Sequence, residues 1–300
     1  MKVIYNSRDI YDQVDIRIAD MTLNSGAKLD SITVEFNNSD NEWSSWNPRK
    51  NDTLEIRQDG LSSGRMYIDT IKQKESVIVL KALPIKKSSK EKHTKSWEHI
   101  SLIELLKEFS QKHKLTLKTY NITNYRYERV NQINQSDFIF LHQRCALEGY
   151  VFKIQNNSLI VFDEKALEQQ SRIEITKDEI IGDFDYKVND AYKGVRIKYR
   201  DIDYTYYSPE EIEGPIYTIT DLLVSNYEEA QRFTKNILRN TNKYQSTLAI
   251  STKLRSDISA GSVVSFRGTG LADGDYYIFQ SINRITSNRN EFALRKVLRW

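Results

Sequence analysis

The chain has 300 residues, of which 39% are hydrophobic, 11% aromatic and 28% charged, as expected of an ordered globular protein with about two or three domains. Its net charge of +3 excludes the concentrated basic surface of a dedicated nucleic-acid-binding protein, so we expect no sequence-specific nucleic acid partner. The single cysteine, Cys145, excludes an internal disulfide framework and a cysteine-based zinc site.

The sequence contains neither the apolar core of a cleaved signal peptide nor an apolar run of about 18 residues. We therefore expect no stable insertion into a membrane. The lone cysteine is compatible with assembly in a reducing compartment.

The first region, residues 1–88, alternates short apolar runs with turns, a pattern that predicts a β domain. Its predicted strands begin at Ser31, Thr53, Met66 and Val77. The polar run K-K-S-S-K-E-K-H-T-K, at 86–95, is interpreted as a domain boundary or an exposed loop.

The second region, residues 89–180, has the pattern of a small α/β domain. Ser101 and Glu104 form a capping box at the start of an amphipathic helix that ends near His113. A second helix is predicted to begin after Ser136 and to end at Gly149. The runs Y-V-F-K-I and L-I-V-F flank Q-N-N-S and predict a hairpin.

The third region, residues 181–300, returns to β character. Predicted strands follow Gly194 and Ile216, and one helix is predicted to begin with a capping box of Ser225 and Glu228. Further strands are predicted at 248–251, 263–266, 276–282 and 292–298.

A pattern of ten residues occurs in both β regions. D-G-L-S-S-G-R-M-Y-I begins at Asp59 and T-G-L-A-D-G-D-Y-Y-I begins at Thr269, and five of the ten positions match. Each copy follows a strand and precedes a Tyr-Ile strand. Common turn chemistry is the simplest explanation of such a match, but the shared context favours a duplication. The candidate interface or turn residues are Gly60, Leu61, Gly64, Tyr67, Gly270, Leu271, Gly274 and Tyr277.

The sequence predicts no enzyme and no catalytic, cofactor or metal site. The four histidines lack the spacing of a zinc site, and Cys145 lies on the apolar face of a predicted helix, where a buried side chain is expected. The glycines from Arg267 to Asp275 are followed by a strand instead of the helix of a phosphate loop.

Several segments together resemble the phage late control protein D family. The segment N-Q-S-D-F-I-F-L-H-Q-R-C-A-L-E-G-Y-V-F-K-I resembles a stretch of that family in which Ser-Asp precedes a Phe-x2-Leu helix, Glu-Gly-Tyr and a hairpin. K-S-W-E, E-E-A-Q-R, S-A-G-S-V-V and G-x3-G-x-Y-Y-I are also similar to that family and occur in the expected order. The resemblance therefore spans most of the chain.

The resemblance implies an α+β, mainly β fold with two similar tube-type β-barrel domains, at 1–88 and 181–300, and a small α/β domain between them at 89–180. Members of the family are baseplate hub proteins of contractile phage tails, tail-like bacteriocins and the N-terminal part of type VI secretion spikes. A trimer with two barrels per chain presents six similar edges, which suits an adaptor between a hexameric tail tube and a trimeric spike.

The implied partners are a homotrimer, the tail tube protein, the spike or puncturing protein, the tape-measure protein and the baseplate wedge proteins. The implied location is the tail baseplate of a virion, or an extracellular tail-like particle, after assembly in the bacterial cytoplasm. The sequence given ends at Trp300 after the last predicted strand, so we expect the spike to be a separate protein.

Two alternatives stay open at this point. One is the hub of a non-contractile tail, which uses the same barrels in its N-terminal region. The other is a carbohydrate-binding β module that stacks sugars on Trp43 and Trp46, although two tryptophans beside a bend more often pack a domain edge.

Overall fold

The computed structural model describes residues 1–26 and 28–300. Strands make up 47% of it and helices 19%, so the predicted α+β, mainly β class is confirmed. None of the helices in this described part is both long and apolar enough to cross a membrane.

The first region is built mostly of strands. The predicted strands at Ser31, Thr53, Met66 and Val77 are all present, since their alternating apolar residues point into one core. Its elements are β1 Lys2–Tyr5, β2 Arg8–Asp9, β3 Ile16–Asn24, β4 Ser31–Asn37, α1 Glu42–Trp46, β5 Thr53–Gln58, β6 Leu61–Ser62, β7 Met66–Lys74 and β8 Val77–Leu83.

The middle of the chain combines helices with short sheets. The Ser101–Glu104 capping box is present, and the hairpin turn places Asn156 and Asn157 in the left-handed region, as its short loop requires. The elements are β9 Lys92–Ser101, α2 Leu102–Lys112, β10 Thr116–Tyr120, β11 Arg126–Ser136, α3 Asp137–Leu147, β12 Tyr150–Gln155, β13 Ser158–Asp163, α4 Glu164–Glu168 and β14 Arg172–Thr176.

The last part of the chain contains one long helix among strands. Its elements are β15 Asp185–Val188, β16 Gly194–Tyr199, β17 Ile202–Tyr207, β18 Ile216–Ile219, α5 Tyr227–Asn242, β19 Ser246–Lys253, β20 Val263–Arg267, β21 Gly274–Arg284 and β22 Arg289–Lys296.

Two local expectations differ from the structure. The polar run at 86–95 is not a loop throughout, because Lys92–Lys95 form the start of β9 and pair with β11. The α5 helix is capped by Asn226 rather than by Ser225, and the Asn226 side chain accepts a hydrogen bond from the Glu229 amide at 2.9 Å. Asparagine is as good an N-cap as serine, and the observed cap lies one position after the predicted one.

Fourteen described strands form one large sheet. Its main path runs β15-β19-β22-β21-β3-β4-β8-β7-β5-β1-β2, with β20 and β14 attached to β21 and with β6 attached to β5. The first and the last β regions therefore meet within a single sheet, and their junction is the pairing of β21 with β3.

A middle body packs beside this sheet and draws on two parts of the chain. Residues 194–242, which fall in the predicted 181–300 segment, pack their apolar side chains against those of residues 97–161 in one core. Conversely, β14, from the predicted 89–180 segment, pairs with β20 of the last region. The amphipathic α5 helix explains the first difference, because its apolar face is covered by α3.

The loop after β3 connects the large sheet to the middle body. Asp30 is 2% exposed and binds Lys153 of β12 at 2.9 Å. Gly26 has φ +115°, and a Cβ there would lie 2.0 Å from a methyl carbon of Val151. Only glycine fits this close approach.

Candidate assembly surface

The two β regions contain the same five-stranded unit. We call β3, β4, β8, β7 and β5 the first repeat, and β15, β19, β22, β21 and β20 the second repeat; both sets are written in the order of their pairing. The pairing of β5 with β7 has the same register as the pairing of β20 with β21. In the first repeat Thr53 lies opposite Tyr67 and Leu54 opposite Met66. In the second repeat Val263 lies opposite Tyr277 and Val264 opposite Tyr276.

An irregularity of the backbone recurs at the same place in both repeats. The pairing of β7 with β8 shifts register between Ile68 and Thr70, and the pairing of β21 with β22 shifts between Ile278 and Gln280. These positions correspond in the alignment that pairs Gly60 with Gly270. A bulge bends the strand and fixes its register, so its recurrence is a more specific signature than a shared turn composition.

Hydrogen bonds at the start of these strands also correspond. The Ile68 amide donates to the Asp52 carbonyl at 2.8 Å, and the Ile278 amide donates to the Ser262 carbonyl at 3.0 Å. The two repeats therefore correspond in sequence motif, strand register, bulge position and backbone hydrogen bonds. The partial match within the ten-residue pattern reflects a structural repeat rather than turn chemistry alone.

The predicted turn glycines are not equivalent in conformation. Gly60, Gly64 and Gly270 have φ of +86°, +67° and +74°, whereas Gly274 is not in the left-handed region. A Cβ on Gly64 would lie 2.3 Å from Asn156 Oδ1, while a Cβ on Gly270 would meet nothing within 4 Å. The first turn therefore lies against the middle body, and the second turn is open.

The two matched leucines differ most in exposure. Leu61 is 8% exposed and packs in the core of the first repeat, whereas Leu271 is 82% exposed. The two copies of the motif thus present different side chains to the surroundings.

The matched tyrosines also differ in burial. Tyr67 is half-buried, with Lys86 Nζ 5.2 Å from the centre of its ring. Tyr277 is fully buried, its hydroxyl bonds to Ser25, and the guanidinium of Arg295 lies 4.5 Å from its ring centre. Tyr277 therefore helps to connect the second repeat to the loop after β3 of the first.

The two repeats meet along a short antiparallel pairing that we call the joint, formed by Gln280–Arg284 of β21 and Asp20–Asn24 of β3. Arg284 Nη1 lies 2.7 Å from Asp20 Oδ2 across it. Burial raises the pKa of the Asp20 carboxyl, an effect that Arg284 opposes and Glu291 reinforces. The joint combines backbone pairing with a charge contact.

A buried charge cluster connects α4, α5 and the second repeat. Lys243 Nζ lies 2.9 Å from Glu164, and Arg239 and Arg295 each lie 2.5 Å from Glu168. Burial alone would raise the pKa of Glu164, but Arg295 and Lys243 outweigh it and lower the pKa. Sequence patterns gave no sign of this cluster, because its members are distant along the chain.

Cys145, the one cysteine considered for chemistry, is buried. Burial raises the pKa of the Cys145 thiol to about 12, so this side chain stays a neutral thiol at neutral pH. Within the described residues, no group of three or more His, Cys, Asp or Glu side chains is placed to hold a metal ion.

The tryptophans considered for sugar stacking lie against the core. Trp43 is 3% exposed, and its ring centre is 4.5 Å from that of Phe36 and 5.0 Å from that of Trp46. The buried Trp43 ring cannot offer its face to a ligand, and the half-buried Trp46 packs against the same core.

Comparison with known proteins gives matches in structure only. No protein family and no curated protein matches the sequence. A tail protein from Neisseria meningitidis MC58 matches with a TM-score of 0.77 at 12% identity, over 98% of this chain and 95% of that chain. This chain has the fold of that tail protein. The similarity that the motifs predict is thereby confirmed at the level of the fold.

Two further structures share this tail-protein fold. The prophage MuSo2 43 kDa tail protein from Shewanella oneidensis matches with a TM-score of 0.71 at 9% identity, over 98% of this chain and 96% of that chain. The E. coli c3393 protein, a component of the type VI secretion system, matches with a TM-score of 0.66 at 10% identity, over 100% of this chain and 78% of that chain.

Proposed function

We propose that this chain is the structural baseplate hub protein of a contractile phage tail or tail-like particle. In this role it forms a trimeric ring with pseudo-sixfold symmetry and adapts the hexameric tail tube to the trimeric spike. It acts by packing, without catalysis. Each repeat forms one segment of the ring wall. The two repeats thereby take the role of the two tube-type barrels that the sequence resemblance implies.

The observation that carries this proposal is the repeated unit with its shared register and shared bulge. Three copies of a chain with two similar repeats supply six similar segments, whereas three unrepeated chains would offer only three contacts to six tube subunits. The tail-protein fold of the similar structures supports the same role.

The partners follow from this role. The tail tube protein, spike, tape-measure protein and baseplate wedge proteins would contact the loops and strand edges of the ring. Addition of a strand to an exposed sheet edge is a general mode of protein recognition. The exposed Leu271 turn of the second repeat is the part of the motif best placed to meet one of them. The proposed location is the baseplate of the tail or tail-like particle, after assembly in the cytoplasm.

Light scattering over a concentration series, with and without the tube protein, tests the proposal. We expect a mass of three chains, either for the protein alone or once it is bound to tube protein. A monomer that ignores the tube protein at every concentration would overturn the hub function. Retention of sugar by that monomer on a glycan array would instead support a carbohydrate-binding module.

A further inference from the structure

Among the described residues, the second half of the β7 edge has no strand partner, whereas its counterpart in the second repeat has one. In the second repeat, β21 pairs with β20 through its first half and with β3 through Gln280–Arg284. The corresponding half of β7, Thr70–Lys74, pairs with β8 on one side. On its other side, no strand of residues 1–26 or 28–300 is paired with it. An unpaired edge of this kind is a template for another strand.

The strand of the second repeat that corresponds to β3 also lacks a described partner strand on one side. In the first repeat Met21 of β3 pairs with Ile32, and in the second repeat Tyr186 of β15 pairs with Leu248. Tracing the pairs across both repeats makes Asp185–Val188 the counterpart of Asp20–Leu23. The β15 strand ends the main path of the sheet, so its outer edge carries no strand of the described chain.

We propose that β7 of one chain pairs antiparallel with β15 of a second copy, in the register of the joint. In that register Ile71 faces Val188, Gln73 faces Tyr186 and Lys74 faces Asp185. The inference rests on the proposed function, because it names the contact that would close the ring. Each chain would then contain the joint itself and would form one equivalent strand pairing with each of its two neighbours.

Charge complementarity supports this register. Arg284 binds Asp20 across the joint at 2.7 Å, and the same two positions in the proposed contact are occupied by Lys74 and Asp185. Asp185 is 57% exposed and lies 2.6 Å from Lys187 of its own strand, so it is accessible to a partner. A positively charged side chain therefore faces a negatively charged one at this position, both in the joint and in the proposed contact between chains.

Apolar exposure supports it as well. Val188 is 65% exposed, an unusual state for a valine on a strand, and Ile71 packs only partly against the core of the first repeat. Their counterparts in the joint are Leu23 and Ser281, which are 8% and 0% exposed. Pairing would remove Ile71 and Val188 from water in the same way.

One pair in this register is unfavourable, and it provides a test. Lys72 faces Lys187, and like charges directly opposite one another weaken a strand pair. Lys72→Glu should therefore strengthen association of the chains by about two- to fivefold, the range of an exposed ion pair. Lys74→Asp should weaken it by a similar factor, and adding Asp185→Lys should restore it.

Cysteine cross-linking is the direct experiment. Opposed residues of an antiparallel pair have Cα atoms about 4.5–5.5 Å apart, within the range that a disulfide spans. Ile71→Cys with Val188→Cys should give disulfide-linked dimers and trimers on a non-reducing gel. The matched control is Thr70→Cys with Val188→Cys, whose side chains would point to opposite faces. Cys145 is buried and adds no background thiol.

The outcomes separate this inference from the proposed function. Linked species from the first pair but not from the control support the contact. A trimer by light scattering with no 71–188 cross-link overturns the strand contact and leaves the hub function in place. Equal cross-linking by the 71–188 and 70–188 cysteine pairs would reflect random collision and would overturn the proposed register of β7 with β15. A monomer without cross-links, with or without tube protein, overturns both proposals.

Discussion

Arg284 bridges Asp20 of the first repeat and Glu291 of its own repeat, with contacts of 2.7 Å and 2.6 Å. One guanidinium thus holds two carboxylates at the place where the repeats meet. Arg284→Ala should leave these carboxylates facing each other and lower the free energy of unfolding at pH 7 by about 1 kcal/mol, a figure limited by solvent screening.

The pH dependence of that variant has a definite sign. The pKa of Asp20 is already raised in the folded protein, chiefly by burial, and loss of Arg284 raises it further. Stability from such a group is present at low pH and is lost as the pH rises through the folded pKa. Denaturant titrations should therefore show a smaller deficit at pH 4 than at pH 7. Arg129→Ala, which removes an exposed pair with Glu98 at 4.0 Å, should have no measurable effect.

Substitution of the matched glycines should give different results in the two turns. Gly64→Ala should lower the free energy of unfolding by about 2–3 kcal/mol, because a left-handed backbone is strained and the new Cβ collides with Asn156. Gly270→Ala should cost about 1 kcal/mol, from the backbone alone. Gly274→Ala is the control, since a Cβ there meets the flexible end of Lys296 and makes an ordinary contact of 3.5 Å with the Tyr276 ring. Urea unfolding curves check this order, and equal losses at all three sites would contradict it.

Replacement of the matched leucines should separate binding from folding. Leu271→Ser should leave the unfolding temperature unchanged, because the side chain is 82% exposed, and should weaken binding to the tail component that it contacts by about tenfold. Leu61→Ala should lower the free energy of unfolding by about 2–3 kcal/mol, since it leaves a cavity in the core.

Calorimetry and sedimentation with purified tube protein, and then with spike protein, measure these effects. Ile139→Ser is a suitable control, because Ile139 is 55% exposed on α3, away from the turn. Unchanged binding of Leu271→Ser to both partners would exclude this turn from the tube and spike contacts.

The buried cluster should make the protein sensitive to acid. The pKa of Glu164 in the folded state lies below its ordinary value because Arg295 and Lys243 overcome the effect of burial. A lowered carboxyl pKa contributes stability above the unfolded pKa, and this contribution is lost as the pH falls through the folded pKa. Glu164→Gln should cost about 3 kcal/mol at neutral pH, since it leaves buried cations with one carboxylate fewer.

Near-ultraviolet circular dichroism at fixed denaturant and varied pH measures this loss. The stability of Glu164→Gln should change less with pH below 5 than that of the unchanged protein. Glu174→Gln is the matched control, because Glu174 is exposed on β14, and it should reproduce the unchanged protein.

The sequence was sufficient for features that depend on neighbouring residues. The strands at Ser31 and Val77, the Ser101–Glu104 capping box and the Asn156–Asn157 hairpin turn all follow from local periodicity and turn chemistry. The motif shared by the two β regions also placed its residues in equivalent turns and strands.

The sequence was insufficient wherever distant segments decide the outcome. Nothing near Arg295 indicates that Glu164 and Glu168 lie beside it, and the equal motif gave no sign that Leu61 is buried while Leu271 is exposed. The packing of α5 against α3 depends on two apolar faces far apart in the chain. Such pairings are set by tertiary packing, which a single sequence does not reveal.

The covalent link between the repeats limits the stoichiometry of any ring that they build. Because each chain always contributes both units, such a ring contains an even number of units, and five- or seven-membered forms cannot arise. Features that the repeats share, such as the bulge, then occur at every step around the ring. Features that differ, such as the exposed Leu271, occur at every second step. Under the proposed hub function, a single polypeptide would thereby supply both a sixfold and a threefold set of contacts.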